Sequence, residues 1–276
     1  MFYYKNWEDL CSFVKKQGII TVTAKDSLKI AKEKQFIVLK HDVECNVPKA
    51  YRLAQIEHKH GICGSYYVQG YLLNDSENIR LLQEMQSWGH EVSYHYDVLD
   101  ACSGDYDKAL EQFSDYLLKF SNAGLEFTTI CQHGNPVKNR VGYTSNRDFF
   151  RNEKIKKQYP QFIDMVVNYS QHTDHEYKYI SDAGYCWNII TLPETNDLHP
   201  EVENIKIGSF KNLQKEIKKG KSLIISTHPH RWRKSAFGIY AHIYLFKIVR
   251  AVVKCLRNVP GMNWILNKFY FLAKRI

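Results

Sequence analysis

The chain has 276 residues, 44% of them hydrophobic and 24% charged, which is enough for one large core or two small ones. Its formal charge of +9 is uneven, because residues 201–276 carry sixteen Lys and Arg against three Glu, whereas residues 1–200 sum to −4. No run reaches the ~18 apolar residues that a membrane-spanning helix needs. A slightly acidic globular body with a basic C-terminal segment is therefore expected.

The seven cysteines are odd in number and scattered, without a CxxC pair. This pattern favours free thiols in a reducing cytoplasm over a disulfide framework. The first residues, MFYYKNWED, lack the basic start and apolar centre of a signal peptide. We therefore expect a cytoplasmic protein.

Helical and strand patterns alternate along the chain. Apolar spacing and capping residues predict helices over 7–17, 26–34, 48–61, 76–88, 105–122 and 211–219. Short apolar runs predict strands over 36–40, 65–68, 90–96, 127–131, 165–169, 179–181, 187–192 and 222–228. This alternation predicts an α/β fold of βαβ units with a parallel sheet, in one barrel-type domain of about 225 residues.

The strand that begins at Phe36 runs directly into a cluster of polar residues, KHDVE at 40–44. Because side chains alternate along a strand, Asp42 and Glu44 share one face and His41 takes the other. Two carboxylates at a strand end can hold a cation, or divide a metal-ligand role from a base role. The alternative is that they cap the helix that begins near Pro48.

Three histidines come at or just after the C-terminal ends of predicted strands: His95, His133 and His228. In α/β sheets and barrels this edge is where ligands bind. One such histidine alone is usually structural, but three together with Asp42 and Glu44 indicate a site. His90 lies five residues from His95, so the two point to opposite faces of a continuous strand.

Five segments in this order resemble the motifs of one known family: KHDVE at 40–44, GHEVSYHYD at 89–97, QHGNP at 132–136, YISD at 179–182 with Trp187, and ISTHPHRW at 225–232. The set is similar to the polysaccharide deacetylases (NodB homology, carbohydrate esterase family 4), and most similar to the branch whose first motif reads His-Asp-Val-Asp. The resemblance implies a distorted (β/α)7 barrel over residues 36–237, after an N-terminal helical segment at 1–35 and before a tail at 238–276.

The resemblance also implies roles for single residues. Asp42 matches the general base and His228 the general acid. Glu44 matches the metal-binding aspartate, and His95 matches the first histidine of the metal motif His-x-x-x-His.

The fourth family motif is matched by Asp182 and Trp187. In the family this motif supports the base or the acid and shapes the sugar pocket. We assign both residues, with His230, to the substrate-binding side of the site.

The chain departs from the family pattern at two metal-binding positions. Glu44 is one methylene longer than the usual aspartate, and the second histidine falls at Leu99, which cannot coordinate a metal. We expect His133 to supply the missing ligand, because it also follows a strand and Gly134 permits close backbone approach. His230 is the second candidate.

The resemblance implies a metal-dependent hydrolase that removes an N-acetyl group from a sugar of a surface polysaccharide or its precursor, as in lipopolysaccharide biosynthesis. The expected cofactor is a divalent metal, zinc, which polarises the amide carbonyl and lowers the pKa of water. Tyr66, Tyr67, Tyr94 and Tyr96 stand beside the motifs, where they either stack on sugars or pack in the core. Two alternatives are a catalytically degenerate carbohydrate-binding relative and a hydrolase of a small non-sugar amide.

The tail at 238–276 mixes apolar residues with Lys and Arg. This pattern is typical of basic amphipathic helices that lie on an anionic membrane, so peripheral contact with the inner membrane face is expected. The alternative is that an apolar side packs on the barrel and the basic side is solvated. Nucleic acid is not an expected partner, because no binding motif accompanies the charge.

Overall fold

The structure is a computed structural model that describes residues 2–135, 138–235, 237–240, 244 and 248. Ten strands of the described residues form one sheet. They are β1 (Ile20–Val22), β2 (Phe36–Val43), β3 (Ser65–Val68), β4 (Glu91–Tyr96), β5 (Thr129–Gln132), β6 (Ile163–Asp164), β7 (Tyr177–Ser181), β8 (Trp187–Ile189), β9 (Ile205–Gly208) and β10 (Ser222–Thr227).

Most of the sheet is parallel, as the alternation of helices and strands predicts. The strand order is β6-β5-β4-β3-β2-β10-β7-β8-β9, and β1 pairs with the first half of β2. Every pairing from β6 to β7 along this path is parallel, and only β8 pairs antiparallel, with β7 on one side and β9 on the other. The predicted α/β class is confirmed.

Nine α-helices fall within the described part of the chain. They are α1 (Tyr4–Lys16), α2 (Ala24–Ser27), α3 (Val47–Lys59), α4 (Ser76–Ser87), α5 (Val98–Ala101), α6 (Tyr106–Asn122), α7 (Arg147–Arg151), α8 (Glu153–Gln158) and α9 (Phe210–Lys218). The starts follow local chemistry: the side chains of Asn46, Asp75 and Asp105 accept backbone N–H groups at the starts of α3, α4 and α6.

The sheet curls into a barrel-like shape, because side chains from distant strands meet on its inner face. One buried cluster contains Phe36, Val38, Tyr67, Cys131, Tyr179 and Ile224. Cys131 is on β5 and Tyr179 on β7, with four strands between them in the sheet order. Ile37 and Leu39 of β2 instead join an outer cluster with Trp7 of α1 and Leu53 of α3.

Two predicted elements are wrong. The helix predicted over 26–34 is the short α2, since the Thr23 hydroxyl accepts the Asp26 N–H at its start and the helix ends at Ser27, with Leu28 as its C-cap. The strand predicted over 165–169 is absent, because Asp164 turns the chain after β6 by accepting the Val166 N–H on its side chain and the Asn168 N–H on its carbonyl. A 3-10 turn follows at Tyr169–His172.

The segment at 1–35 is part of the same body as the barrel, since β1 joins the sheet and Trp7 is fully buried in the outer cluster. The six cysteines that the structure describes are all free thiols. Among the described residues, no helix has the length and apolar character to cross a membrane. Most of the predicted tail at 238–276 lies outside the described residues.

Candidate active site

The polar residues predicted to form a site come from the C-terminal ends of neighbouring strands. β4 and β5 pair in parallel with His95 opposite Cys131, so His95 and His133 end adjacent strands. β2 and β10 pair with His41 opposite Thr227, which places His228 beside Asp42. The sheet order therefore brings residues distant in sequence to one edge.

Glu44, His95 and His133 form a compact group. One potential ligand atom from each lies within 4.8 Å of the others, and all three residues are buried. His133 Nε2 is 3.3 Å from Glu44 Oε1. Two ligands bound about 2.0–2.1 Å from one tetrahedral ion would be separated by about 3.3 Å, so this pair has the spacing of a metal site.

The protonation state of His95 also suits metal binding. Its Nδ1–H donates to the Cys131 carbonyl at 3.0 Å, which leaves the Nε2 lone pair available. Burial lowers the pKa of His95 to about 3, although the nearby carboxylates oppose this shift. A neutral imidazole that is oriented by a backbone carbonyl fits a divalent ion such as zinc, with one carboxylate and a second imidazole as co-ligands.

Asp42 is held as a carboxylate by Lys40. The Lys40 ammonium forms an ion pair with Asp42 Oδ1 inside the barrel, above the ring of Tyr67 at 5.1 Å from its centroid. Burial would raise the pKa of Asp42, but the opposing effects, the largest of which is the Lys40 charge, together lower the pKa. Ser226 also donates to Asp42 Oδ2, at 3.3 Å.

A second group of possible ligands, Asp42, His95 and Cys131, lies deeper in the barrel. Burial raises the pKa of the Cys131 thiol well above its usual value, and the Lys40 ammonium already neutralises Asp42. A divalent ion would be repelled there, so the group of Glu44, His95 and His133 is the better metal site.

His228 is oriented by Asp182. The backbone N–H of His228 donates to Asp182 Oδ2 at 3.0 Å, and its Nδ1–H donates to Oδ1 at 2.5 Å. Arg231 donates to the same Oδ1 at 2.7 Å, so the two donors lie close together. The other ring nitrogen, Nε2, then points towards the carboxylates, at 4.0 Å from Asp42 and 3.7 Å from Glu44.

Asp182 therefore orients His228, the residue that the resemblance matches to the general acid. Its carboxylate is fully buried, and it directly contacts His228 and Arg231. Burial would raise the pKa of Asp182, but Arg231 and His228 lower it. The residue acts on the site through His228.

Trp187 is not brought to the site, because its ring lies in the outer cluster, 5.5 Å from that of Phe2, and it is 1% exposed. His230 lies beside His228, with ring centroids 5.8 Å apart, and burial lowers its pKa to about 3. It is not one of the three grouped ligands. The four tyrosines beside the motifs are all fully buried, as core packing predicts: Tyr66, Tyr67, Tyr94 and Tyr96.

The expected close backbone approach at Gly134 is not observed. A Cβ built on Gly134 would meet no atom within 4 Å, so close backbone approach does not require this glycine. His133 is instead held by its own backbone, whose N–H donates to the Tyr96 carbonyl at 2.7 Å. Leu99, at the position of the missing histidine, is fully buried in an apolar cluster.

Lys40, Arg231 and Tyr71 have places in the site that the sequence analysis did not assign. Lys40 lies two residues before Asp42 on the same strand, so strand alternation alone predicts that they share a face. Arg231 follows His228 by three residues, but nothing in the sequence indicates its contact with Asp182. Tyr71, 38% exposed, donates its hydroxyl to the Glu44 carbonyl at 2.7 Å and so lies at the rim.

No family model matches the chain, and no curated protein matches it. Solved structures do. The chain is similar to a family 4 carbohydrate esterase from Streptomyces lividans, with a TM-score of 0.41, 10% identity, and 70% of this chain and 79% of that chain covered.

It is also similar to the peptidoglycan deacetylase PdaC from Bacillus subtilis, with a TM-score of 0.40, 10% identity, and 82% and 98% of the two chains covered. A pseudoenzyme of carbohydrate esterase family 4 from Bacillus anthracis matches with a TM-score of 0.37, 13% identity, and coverage of 72% and 70%.

Proposed function

We propose that this protein is a metal-dependent hydrolase that removes an N-acetyl group from a sugar of a surface polysaccharide or its precursor. The observation that carries the proposal is the grouping of Glu44, His95 and His133 next to a carboxylate, Asp42, and a carboxylate-backed imidazole, His228. Metal ligands, a base and an acid are the parts that amide hydrolysis requires.

The proposed metal ligands are Glu44, His95 and His133, and the ion expected there is zinc. When bound, the ion supplies Lewis-acid polarisation of the amide carbonyl and a lowered pKa for water. Three protein ligands leave a coordination position open, as catalytic zinc sites require.

Asp42 and His228 divide the proton transfers. Asp42, kept ionised by Lys40, takes a proton from the attacking water. His228 gives a proton from Nε2 to the departing amine, while Asp182 at Nδ1 stabilises the charged imidazole. The distance of 4.0 Å between His228 Nε2 and Asp42 Oδ2 supports the assignment of both proton transfers to one reaction centre.

The proposed partner is an N-acetylated sugar or glycan precursor, met in the cytoplasm at the inner membrane face. Four exposed residues near the start of the tail support membrane contact: Phe237, Tyr240, Tyr244 and Ile248. Phe237 and Tyr240 are three residues apart within the helical residues 237–240 and so share a face, and Tyr244 and Ile248 are also helical and exposed. Ile239 between them is buried in the outer cluster, so this face points away from the barrel.

The test is acetate release. The wild-type protein should release acetate from N-acetylated sugars or lipid-linked glycan precursors, and Asp42→Asn should lower kcat by about 10²-fold or more. Release from small cyclic amides, but not from sugars, would favour the non-sugar alternative. Sugar binding by the wild type without any turnover would identify a degenerate relative.

A further inference from the structure

The segment that follows β5 is fastened next to His133. The His133 backbone N–H donates to Tyr96 O, and the His133 carbonyl accepts a hydrogen bond from Asn146 Nδ2 at 2.8 Å. Tyr96 directly follows His95, so the main chains of two proposed ligands are joined. The backbone N–H and the carbonyl of His133 are therefore both held by hydrogen bonds.

Asn146 is fully buried, and its side chain bridges His133 to the first turn of α5. Its Oδ1 accepts the backbone N–H of Asp100 at 2.9 Å, while Nδ2 donates to Asp100 Oδ2 at 2.9 Å and to the His133 carbonyl. Every hydrogen bond that this amide makes thus connects His133 with Asp100.

Asp100 is the centre of this connection. Its carboxylate accepts two hydrogen bonds from Arg140, both at 2.8 Å, and one from the Tyr143 hydroxyl at 3.0 Å. Arg140 also donates to the Asn135 carbonyl at 2.9 Å. His133, Asn135, Arg140, Tyr143 and Asn146 are therefore connected, directly or through one another, to one carboxylate that is only 5% exposed.

We propose that Asp100 and Asn146 are positioning residues that hold His133 in the metal site, so that the third ligand comes from the end of β5. The proposal rests on the proposed function. Asp100 immediately follows Leu99, which stands at the position of the missing metal-binding histidine and is buried in an apolar cluster. Removing partners that orient a ligand costs about 10–100-fold in metal affinity.

The experiment measures zinc affinity by competition with a chromophoric chelator. Asn146→Ala should bind zinc about 10–100-fold more weakly than the wild type. Asn146→Asp, which keeps the volume but removes both donated hydrogen bonds, should also bind more weakly. Arg140→Gln changes a partly exposed residue of the same network and should shift the affinity in the same direction, with the fold preserved.

Asn168→Ala is the matched control. It also removes a buried asparagine that holds the main chain, but its partner is the Asp164 N–H at 2.8 Å, outside the proposed ligand set. Its zinc affinity should equal that of the wild type.

His133→Ala separates the two proposals. If the wild type binds no zinc, or His133→Ala binds zinc as well as the wild type does, the proposed metal site itself fails. If His133→Ala loses affinity while the Asn146 and Arg140 variants keep wild-type affinity, the positioning role of Asp100 and Asn146 is overturned.

Discussion

Lys40 lies two residues before Asp42 on β2, so both side chains point into the barrel and form a buried ion pair. Burial opposes the charge on each group, but their mutual attraction dominates, raising the pKa of Lys40 and lowering that of Asp42. This ion pair keeps Asp42, the proposed base, in its ionised form. Lys40 is therefore the residue that sets the state of Asp42.

Replacing Lys40 should change the pH dependence of catalysis. In Lys40→Met the burial of Asp42 remains without the compensating charge, so the pKa of Asp42 rises. Below that pKa the carboxyl is protonated and accepts no proton, so the acid limb of kcat/KM should move to higher pH by about one unit or more. The measurement is kcat/KM for acetate release across pH.

Lys178→Met provides the matched control, since Lys178 pairs with Glu216 at 2.9 Å on the outside of the barrel. Its acid limb should stay at the wild-type position. An unchanged limb in Lys40→Met as well would show that Lys40 does not govern Asp42.

For single residues, the sequence predicts which side chains of the site lie close together, but not the hydrogen bonds that position them. Strand ends and alternation were enough to group His95 and His133 with Glu44, because parallel strands end at the same edge. The contacts of Arg231 with Asp182, and of Asn146 with His133, connect segments 49 and 13 residues apart through loops. No periodicity describes such loops, so these partners appear only in the structure.

Helices α1 and α3 are tied to the back of the strand that carries Asp42. Glu57 of α3 accepts hydrogen bonds from Trp7 Nε1 at 2.9 Å and from the Tyr66 hydroxyl at 2.7 Å. His41 Nε2 lies 2.9 Å from the same carboxylate, and its Nδ1 is 2.8 Å from Thr227 Oγ1. Because Glu57 and His41 are fully buried, this carboxylate joins two helices directly to β2 and β3, and to β10 through His41.

Changing this carboxylate should destabilise the fold. Glu57→Gln removes the buried negative charge and places an amide N–H against the donor of either Trp7 or Tyr66, so we expect the free energy of unfolding to fall by about 3–5 kcal/mol. Urea denaturation measures it. Glu8→Gln, which removes an exposed pair with Lys59, should cost less than about 1 kcal/mol. Equal small losses in both variants would contradict the role of Glu57.

The elements with strong apolar periodicity are those that the sequence predicts well. The predicted strand at 65–68 has the observed bounds, and the helix predicted over 105–122 differs from α6 only at Asp105, its N-cap. The wrong elements follow polar side chains that bind their own backbone, Thr23 and Asp164. Such local hydrogen bonds compete with regular structure without changing the hydrophobic pattern.

For the molecule as a whole, the charge asymmetry and the exposed face near residue 240 lead to one prediction. Replacing Phe237, Tyr240 and Tyr244 together by Ser should weaken binding to anionic vesicles, while Ile239 stays in the core. Deletion of residues 238–276 should abolish it. Raised salt should partly reproduce the deletion, because screening weakens attraction to anionic lipid. Vesicle co-sedimentation measures the bound fraction. If the full-length protein never sediments with anionic vesicles, only the alternative remains, in which the apolar side of the tail packs on the barrel.

The proposed function requires a metal site, a base and an acid that act together at one edge of the barrel. The most direct test follows acetate release and zinc per chain in one preparation, before chelation, after chelation and after zinc is returned. We predict one zinc per chain, loss of acetate release when chelation removes it, and recovery when it is restored. Undiminished acetate release from a protein that chelation has emptied of metal would contradict the proposed mechanism.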